Sequence, residues 1–300
     1  MRARLLTHDE RGHAAMTVAV LGMGTMGMAV ARRLLDRGHG VVVWNRTSGR
    51  EGDLAERGAR IAADIADAVA GCTSVLTLLT DDDAVREVCL GDGGVKASLA
   101  PGAVLIDMSS VHPRTSRELS ASIGEDRFAD APILAGPATI SNGDALFVVG
   151  STAELFDGQQ RLFSDLGSRW IHGGPAGTGT CVKLVLNLLF LEELVALSEA
   201  VALAQAARLD ADLVRELFGI SPLVPAGLQN RLANVLGGDH RGWFPIALAR
   251  KDLRLAMELG RETGVDLRLA DVTERLYAAA QDIAGAHDDV AAVVEAVRAS

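Results

Sequence analysis

The sequence contains few cysteines and few aromatic residues. Among its 300 residues are three cysteines, and Phe, Trp and Tyr together make up only 4%. Cys72, Cys89 and Cys181 form no Cys-x-x-Cys pair, and their odd number argues against a framework of disulfide bonds. We therefore expect a cytoplasmic protein. The small number of aromatic residues predicts a core of small and aliphatic side chains. We also predict no metal site.

Long basic runs and uninterrupted apolar runs are also absent from the sequence. The formal net charge is -10 at pH 7, which disfavours nucleic acid as a partner because its phosphates would be repelled. The most apolar stretch, residues 182–207, is interrupted by polar side chains that include Lys183, Asn187, Glu192, Glu193 and Glu199. A membrane-spanning segment would not tolerate so many polar groups. This stretch therefore predicts a long buried helix rather than a membrane span.

Hydrophobic periodicity divides the sequence into two regions. In the first region, short apolar runs alternate with helical patterns, which is typical of a parallel, doubly wound sheet. Strands are predicted at residues 17–21, 41–44, 74–79, 104–108 and 145–149, and helices near residues 28–36, 53–70, 82–90 and 112–124. After about residue 176 the strand signals end, and helical periodicity continues to the C-terminus with breaks at Pro222 and Pro225.

These patterns predict an α/β fold class. An N-terminal Rossmann-type doubly wound sheet is joined by a long helix near residues 178–207 to an all-α C-terminal domain. The predicted domains are a polar N-terminal extension over residues 1–15, a nucleotide-binding domain over 16–176, and an all-α substrate and dimerisation domain over 177–300. The extension lacks the apolar run of a signal peptide.

A glycine-rich loop follows the first predicted strand of the nucleotide-binding domain. Its residues, in the pattern G-x-G-x-x-G, are Gly22, Met23, Gly24, Thr25, Met26 and Gly27. The loop lies between a predicted strand and a predicted helix, which is the context of a dinucleotide-binding fingerprint. Gly22 permits the tight turn, Gly24 lets a pyrophosphate approach the backbone, and Gly27 lets helix and strand pack closely. We predict that this loop binds a dinucleotide; a glycine-rich turn without a ligand is the alternative.

The second predicted strand ends in the tripeptide Asn45-Arg46-Thr47. Enzymes that use NAD usually carry an acidic residue at this place, where it binds the ribose 2′-hydroxyl. Arg46 cannot accept a hydrogen bond but can pair with a 2′-phosphate, and Asn45 and Thr47 can add hydrogen bonds. The tripeptide therefore favours NADP(H) over NAD, with a solvated arginine at a strand end as the alternative.

Two polar residues of the long apolar helix are candidates for catalysis. Lys183 and Asn187 are four residues apart, so they share one face of a helix. A lysine among valines and leucines is costly unless it is paired or loses its charge easily, and such a lysine can exchange protons near neutral pH. The alternative is a lysine whose stem lies along the apolar surface and whose charge reaches solvent.

Five motifs occur in an order that carries a family resemblance. They are VAVLGMGTMG with VVVWNRT, DMSS, DAPILAG, GTGTCVKLVLN and KDLRLA. From Thr17 to Arg298 the chain resembles the β-hydroxyacid dehydrogenase family, which includes 3-hydroxyisobutyrate dehydrogenases and semialdehyde reductases. The resemblance implies a homodimer that transfers a hydride between NADP(H) and a small aldehyde or β-hydroxy acid. It implies that Lys183 is the catalytic acid/base and that Asn187 orients the substrate.

The resemblance extends to residues around the cofactor and the substrate. It places Ser110 near the nicotinamide ribose and the substrate, and it directs Lys251 toward the same cleft. Leu79 and Thr80, at the end of another predicted strand, are expected to line the cofactor site. Phe244 is a candidate for the substrate side, although a core position is the safer interpretation.

One segment departs from the family pattern. Leu134-Ala135-Gly136 stands where family members usually carry Ser-Gly-Gly, whose backbone amides hold a substrate carboxylate. The amides around Ala135 and Gly136 are still expected to bind substrate, but a larger or more apolar substrate becomes possible. The run ILAGPATI also resembles the related imine reductases, which usually carry Asp or Tyr in place of Lys183. An imine reductase and a non-catalytic dinucleotide-binding protein therefore stand as alternatives.

Overall fold

A computed structural model describes residues 5–6 and 15–299 of the chain. The chain divides into two compact units, Met1–Lys183 and Leu184–Ser300. Of the predicted N-terminal extension, Leu5–Leu6 form a short strand, while residues 1–4 and 7–14 lie outside the described residues. None of the helices in the described residues has both the length and the apolar character needed to cross a membrane.

The first unit is built on one sheet, which contains nine strands among the described residues. These are β1 (Leu5–Leu6), β2 (Thr17–Leu21), β3 (Gly40–Trp44), β4 (Arg60–Ile61), β5 (Ser74–Thr77), β6 (Val104–Asp107), β7 (Phe128–Asp130), β8 (Ala145–Gly150) and β9 (Gly167–Gly174). Their order is β1-β9-β8-β7-β6-β5-β2-β3-β4. The pairs from β4 across to β7 are parallel, β7 pairs antiparallel with β8, and β9 runs parallel to β8.

Short helices connect these strands. They are α1 (Thr25–Asp36), α2 (Ile65–Val69), α3 (Asp82–Leu90), α4 (Val95–Ser98), α5 (Pro113–Ile123), α6 (Pro137–Asn142), α7 (Ala153–Gly158) and α8 (Gln160–Leu166). Apolar clusters cover both faces of the sheet. Along β2, Val18 and Val20 belong to one cluster, whereas Ala19 and Leu21 belong to the other. A parallel strand buried on both faces is continuously apolar, which explains why β2 could be recognised in the sequence.

The second unit is helical and contains its own core. The long helix α9 (Thr178–Ala206) begins in the first unit and is followed by α10 (Ala211–Ile220), α11 (Ala226–Gly237), α12 (Ile246–Thr263), α13 (Arg268–Ile283) and α14 (Val293–Arg298), with a 3-10 turn at Val290–Ala292. Its core includes Leu194 and Val201 of α9, Leu232 of α11 and Tyr277 of α13. The predicted α/β fold class, with a doubly wound sheet followed by a helical region, is confirmed.

The predicted helix over residues 53–70 is wrong in its first half. Turns occupy residues 52–58, β4 follows at Arg60–Ile61, and the helical part is only α2. Gly58 has a φ of +99°, which interrupts a helix, and β4 pairs with β3 at Val42 and Val43. Asp64 then starts α2 by accepting a hydrogen bond from the backbone N–H of Asp67 at 2.7 Å.

A buried polar cluster holds the amino-terminal edge of β2 and β3. Asp165, at the end of α8, is only 6% exposed and accepts hydrogen bonds from Arg37 at 2.8 Å and from His39 at 2.9 Å. Burial raises the pKa of the Asp165 carboxyl, but the hydrogen bonds from Arg37 and His39 together with their charge interactions outweigh burial and hold the pKa below its usual value. The cluster lies away from the carboxyl ends of the strands, so its role in this unit is structural.

Candidate cofactor and active site

The carboxyl ends of β2 and β5 form the natural ligand-binding edge of the sheet. These strands are neighbours, and the chain leaves them in opposite directions, toward β3 on one side and toward β6 on the other. Ligands of open α/β sheets bind at such a switch point. Residues 22–27 follow β2, residues 78–80 follow β5, and residues 108–110 follow β6. Segments that are distant in the sequence therefore meet at one edge.

The three glycines of the loop have different surroundings. Gly22 has a φ of +106°, and a Cβ there would clash with the carbonyl oxygen of Leu78. A Cβ on Gly27 would clash with the carbonyl oxygen of Gly22. In contrast, no atom lies within 4 Å of the position that a Cβ on Gly24 would occupy. The packing of the protein requires Gly22 and Gly27, while the space beside Gly24 fits a bound pyrophosphate at the start of α1.

The other predicted residues of this loop differ in exposure. Thr25 begins α1 and is exposed, Met26 is half-buried, and Met23 is buried at 3% exposure. The backbone N–H of Met23 donates to the side-chain oxygen of Asn45 at 2.9 Å, and the Asn45 amide donates to the carbonyl of Thr47 at 2.7 Å. Asn45 therefore ties the glycine loop to the end of β3, and its direct contact with a cofactor remains a prediction.

Arg46 is accessible at the end of β3. Its side chain is 72% exposed, and its Nη1 lies 3.2 Å from Oε2 of Glu87 on α3, whose side chain is 65% exposed. An ion pair this exposed contributes at most about 1 kcal/mol, so a phosphate could displace Glu87. Thr47 is exposed on the same turn. The arrangement suits the recognition of a 2′-phosphate and contains one acidic group that would compete for the arginine.

A hydrogen-bonded network links the ends of β5 and β6. Oγ of Ser109 accepts from the backbone N–H of Leu79 at 2.9 Å, and the N–H of Ser109 donates to Asp107 at 3.1 Å. Thr77 donates to the same carboxyl oxygen at 2.7 Å. Burial raises the pKa of Asp107, and the hydrogen bonds from Ser109 and Thr77 oppose it in part. The network fixes the backbone of Leu79, which precedes the exposed residue Thr80.

Ser109 is a positioning residue that the sequence did not single out. It is buried at 3% exposure, whereas the predicted site residue Ser110 beside it is half-buried. The sequence of the DMSS motif does not distinguish the two serines. Only the direction of the backbone after β6 separates the serine that holds Leu79 from the one that is more accessible to a ligand.

The predicted catalytic lysine is anchored to the segment that departs from the family pattern. Nζ of Lys183 donates to the carbonyl oxygen of Ile133 at 2.9 Å. Ile133 immediately precedes Leu134, and Leu134 to Gly136 are all half-buried. The backbone N–H of Leu134 donates to the carbonyl of Leu146 at 3.2 Å, so the sheet already uses this amide. The first unit therefore brings Lys183 close to the predicted substrate-binding segment.

In the second unit, a buried carboxylate joins two predicted site residues. Asp252 is 4% exposed; its Oδ2 accepts from the side-chain amide of Asn187 at 2.6 Å, and its Oδ1 lies 3.2 Å from Nζ of Lys251. The sequence predicts Lys251 as a site residue but not Asp252, although the two are adjacent in KDLRLA. Because Asp252 accepts from the amide nitrogen, it sets the orientation of Asn187 and directs its oxygen to the other side.

Phe244 has an environment between those of a core residue and a site residue. It is half-buried against the core of the second unit, and its ring stacks with Phe190 at 6.3 Å and with Trp243 at 6.1 Å between centroids. Its backbone N–H donates to Asp289 at 3.1 Å. Packing within the second unit thus accounts for much of the environment of the Phe244 side chain. A contact between Phe244 and substrate remains a prediction.

Comparison with known families assigns the two regions of the chain. Residues 17–174 match a family model described as the NAD binding domain of 6-phosphogluconate dehydrogenase. Residues 177–297 match a model described as the NAD-binding region of NADP-dependent 3-hydroxyisobutyrate dehydrogenase. The chain belongs to the β-hydroxyacid dehydrogenase family. Members of this family are oxidoreductases with an NAD(P)-binding Rossmann domain, which agrees with the loop geometry described above.

Two relatives in the β-hydroxyacid dehydrogenase family match nearly the whole chain. A glyoxylate/succinic semialdehyde reductase of Arabidopsis thaliana is 29% identical, covering 95% of this chain and 99% of the relative. A 3-sulfolactaldehyde reductase of Escherichia coli is 30% identical, covering 94% and 96%.

Solved structures support the same fold. A Mycobacterium tuberculosis 3-hydroxyisobutyrate dehydrogenase with L-serine has a TM-score of 0.83 at 24% identity, covering 95% of this chain and 100% of that one. An imine reductase from Pseudomonas sp. has a TM-score of 0.62 at 20% identity, covering 94% and 99%. At these identities the likeness concerns the fold alone.

The unequal surroundings of the glycines predict unequal effects of substitution. We expect Gly24→Ala to keep the melting temperature within about 2 °C of the wild type, because its Cβ meets no protein atom. The same variant should bind NADPH about tenfold or more weakly, since the Cβ occupies the space of the pyrophosphate. Gly27→Ala should instead lower the melting temperature clearly. Thermal unfolding measures the melting temperature, and calorimetric titration measures the affinity for NADPH. A Gly24→Ala variant with wild-type affinity for NADPH would contradict the assignment of the pyrophosphate to the space beside Gly24.

Proposed function

We propose that this protein is an NADP(H)-dependent oxidoreductase that interconverts a small aldehyde and its hydroxy acid or alcohol, with Lys183 as acid/base. The observation that carries the proposal is the 2.9 Å hydrogen bond from Nζ of Lys183 to the carbonyl of Ile133. It holds a proton donor next to Leu134, on the segment that corresponds to the family's substrate loop. As the carbonyl of the substrate is reduced, its oxygen becomes an alkoxide that needs a proton. A lysine in that place can donate this proton.

The names of the relatives support an aldehyde substrate. The Arabidopsis relative is named for glyoxylate and succinic semialdehyde, and the Escherichia coli relative for 3-sulfolactaldehyde. All three compounds are small aldehydes that carry an acidic group. In this chain Leu134 and Ala135 replace a serine and a glycine of the family pattern. The proposal therefore extends to aldehydes with a more apolar or larger body.

Each residue of the proposed site has a defined task in the reduction. When bound, NADPH supplies a hydride to the carbonyl carbon. Lys183 donates a proton to the carbonyl oxygen as negative charge develops there, so hydride and proton together give the alcohol. Asn187, whose amide nitrogen is held by Asp252 at 2.6 Å, presents its oxygen to a donor group of the substrate. In the oxidative direction Lys183 takes the same proton back.

Two alternatives make different predictions. An imine reductase would turn over cyclic imines and not semialdehydes; the ILAGPATI run and the shared fold favour it, whereas Lys183 disfavours it. A protein that has lost catalysis would bind NADPH and turn over neither class. A panel of semialdehydes and cyclic imines with NADPH separates the three outcomes.

Replacement of Lys183 tests the proposed acid/base role. We expect Lys183→Ala to lower kcat by about 100-fold or more, which is the usual contribution of a general acid. NADPH affinity should stay within about twofold, because the glycine loop and Arg46 remain intact. Lys96→Ala, which removes an exposed lysine of α4, is the matched control and should keep wild-type kcat. Turnover of Lys183→Ala within a few-fold of the wild type would rule out the role.

Cofactor choice is tested at the end of β3. We expect Arg46→Ala to weaken NADPH binding by about tenfold or more and to leave NADH binding within threefold, because only NADPH carries the 2′-phosphate. Glu87→Gln should strengthen NADPH binding a few-fold, since it removes the competing carboxylate. Arg50→Ala, an exposed arginine on the same turn, is the control. Equal losses of both cofactors in Arg46→Ala would contradict NADP specificity.

We also propose that a second copy of the chain covers part of the second unit. Of the sixteen exposed large hydrophobic side chains in the described residues, fifteen belong to residues 184–300. On α10, Leu213, Leu217 and Ile220 follow a helical spacing and are 46%, 49% and 73% exposed. An apolar stripe of this kind is typical of a protein interface.

The proposed homodimer can be tested by sedimentation. At micromolar concentration the wild type should have twice the monomer mass, and the double variant Leu213→Glu/Leu217→Glu should shift toward the monomer because it buries charge in the interface. Ile61→Glu, at an exposed hydrophobic residue of β4, is the control and should stay dimeric. A wild-type mass near that of one chain would reject the dimer.

A cytoplasmic location also remains a prediction. Cys72, Cys89 and Cys181 are free thiols. Burial raises the pKa of the Cys72 and Cys89 thiols, which disfavours the reactive thiolate. The absence of a disulfide among these three cysteines supports a reducing compartment.

A further inference from the structure

One buried carboxylate caps the helix that carries the proposed catalytic lysine. Asp130 is the last residue of β7 and is fully buried. Its Oδ1 accepts from the backbone N–H of Gly177 at 2.6 Å, and its Oδ2 accepts from the N–H of Thr180 at 2.7 Å. The first amides of a helix have no partner within the helix, and here a side chain from the sheet supplies two of the missing acceptors at the start of α9.

The start of α9 is also packed closely against β7 and β8. A Cβ on Gly179 would lie 2.5 Å from the carbonyl oxygen of Val148 and 2.6 Å from that of Asp130. A Cβ on Gly150 would clash with Oδ1 of Asp130. Glycine at both positions therefore allows the carboxylate to reach the helix, and the first turn has little freedom to shift.

The segment that follows β7, after Asp130, contacts α9 a second time, through Lys183. Lys183 follows Thr180 by three residues, which is about 4.5 Å along the helix axis. Its Nζ donates to the carbonyl of Ile133, three residues after Asp130. The segment after β7 thus fixes the start of the helix at Asp130 and contacts the lysine at Ile133. A slip or rotation of the first turn would move Nζ away from this segment.

The charge of Asp130 is costly in this position. Burial raises the pKa of its carboxyl to about 6, even though the hydrogen bonds from Gly177 and Thr180 lower it. The carboxyl of Asp107, its register partner on β6, raises it further. An apolar residue would fill the same space without this cost, but it would leave two helix amides without acceptors.

We propose that Asp130 is a positioning residue for Lys183: it fixes the first turn of α9 so that the ammonium group lies at the substrate segment. This inference rests on the proposed acid/base function of Lys183. Its consequence is that loss of the carboxylate lowers the rate of the chemical step, while the cofactor loop and the affinity for NADPH are preserved.

The test compares Asp130→Asn with Asp165→Asn. Asparagine keeps the shape of Asp130 but can accept from only one of the two amides. We expect kcat to fall about 10- to 100-fold with KM for the aldehyde within about threefold. Hydrogen exchange of the amides in residues 177–183 should become at least about tenfold faster. Asp165→Asn removes another buried carboxylate of the same unit, one that is 6% exposed and does not contact α9, and it should leave both readouts unchanged.

Each result of this test decides the proposal. An Asp130→Asn variant that keeps kcat within twofold of the wild type, or keeps the exchange rates of residues 177–183, overturns it. If Asp130→Asn does not fold, Gly179→Ala displaces the same turn without removing the carboxylate, and it should show the same loss of kcat at constant KM. The exchange measurement needs no substrate, so it tests the cap separately even if the wild type reduces no aldehyde.

Discussion

Parallel pairing of β2, β5, β6 and β7 forces the carboxyl ends of these strands to one edge of the sheet. Most of the groups that the proposed reaction needs from the first unit follow one of these ends, whereas Arg46 follows β3 and Lys183 lies on α9. The glycine loop follows β2, Leu79 and Thr80 follow β5, Ser109 and Ser110 follow β6, and the substrate segment follows β7. Because the register of the sheet fixes these ends, the site is built by short turns with little freedom of their own.

Several parts of the proposed site are held in place by side-chain hydrogen bonds within the protein. Asn45 ties the glycine loop to the end of β3, Ser109 holds the amide of Leu79, and Asp252 holds Asn187. Asp130 does the same for the start of α9. Each is a buried or half-buried polar group whose desolvation is offset only by its hydrogen bonds. Substitution of such residues should therefore disturb the geometry of the site and also lower stability, because their partners lose hydrogen bonds.

The parts of the fold that could be predicted from the sequence are those whose signal is local. The continuous apolar run of β2, the glycine loop and the polar interruptions of α9 identify the Rossmann unit and the long helix. β9 was missed because it begins and ends in glycine and carries Arg169 and His172. The helix expected from residue 53 failed because a turn at Gly58 and pairing with β3 outweigh a weak helical pattern. Asp130, Ser109 and Asp252 could not be singled out because their roles depend on partners 30 to 65 residues away.

In the proposed reaction, hydride from NADPH and a proton from Lys183 reduce an aldehyde in this site. The most direct measurement uses NADPH with deuterium at both C4 positions, succinic semialdehyde as the probe, and mass spectrometry of the alcohol. We expect one deuterium on the carbinol carbon of the alcohol with the wild type and with Lys96→Ala, and at least about a 100-fold slower appearance of this product with Lys183→Ala. Wild-type oxidation of the cofactor without deuterium in any alcohol, across a panel of small aldehydes, would contradict it.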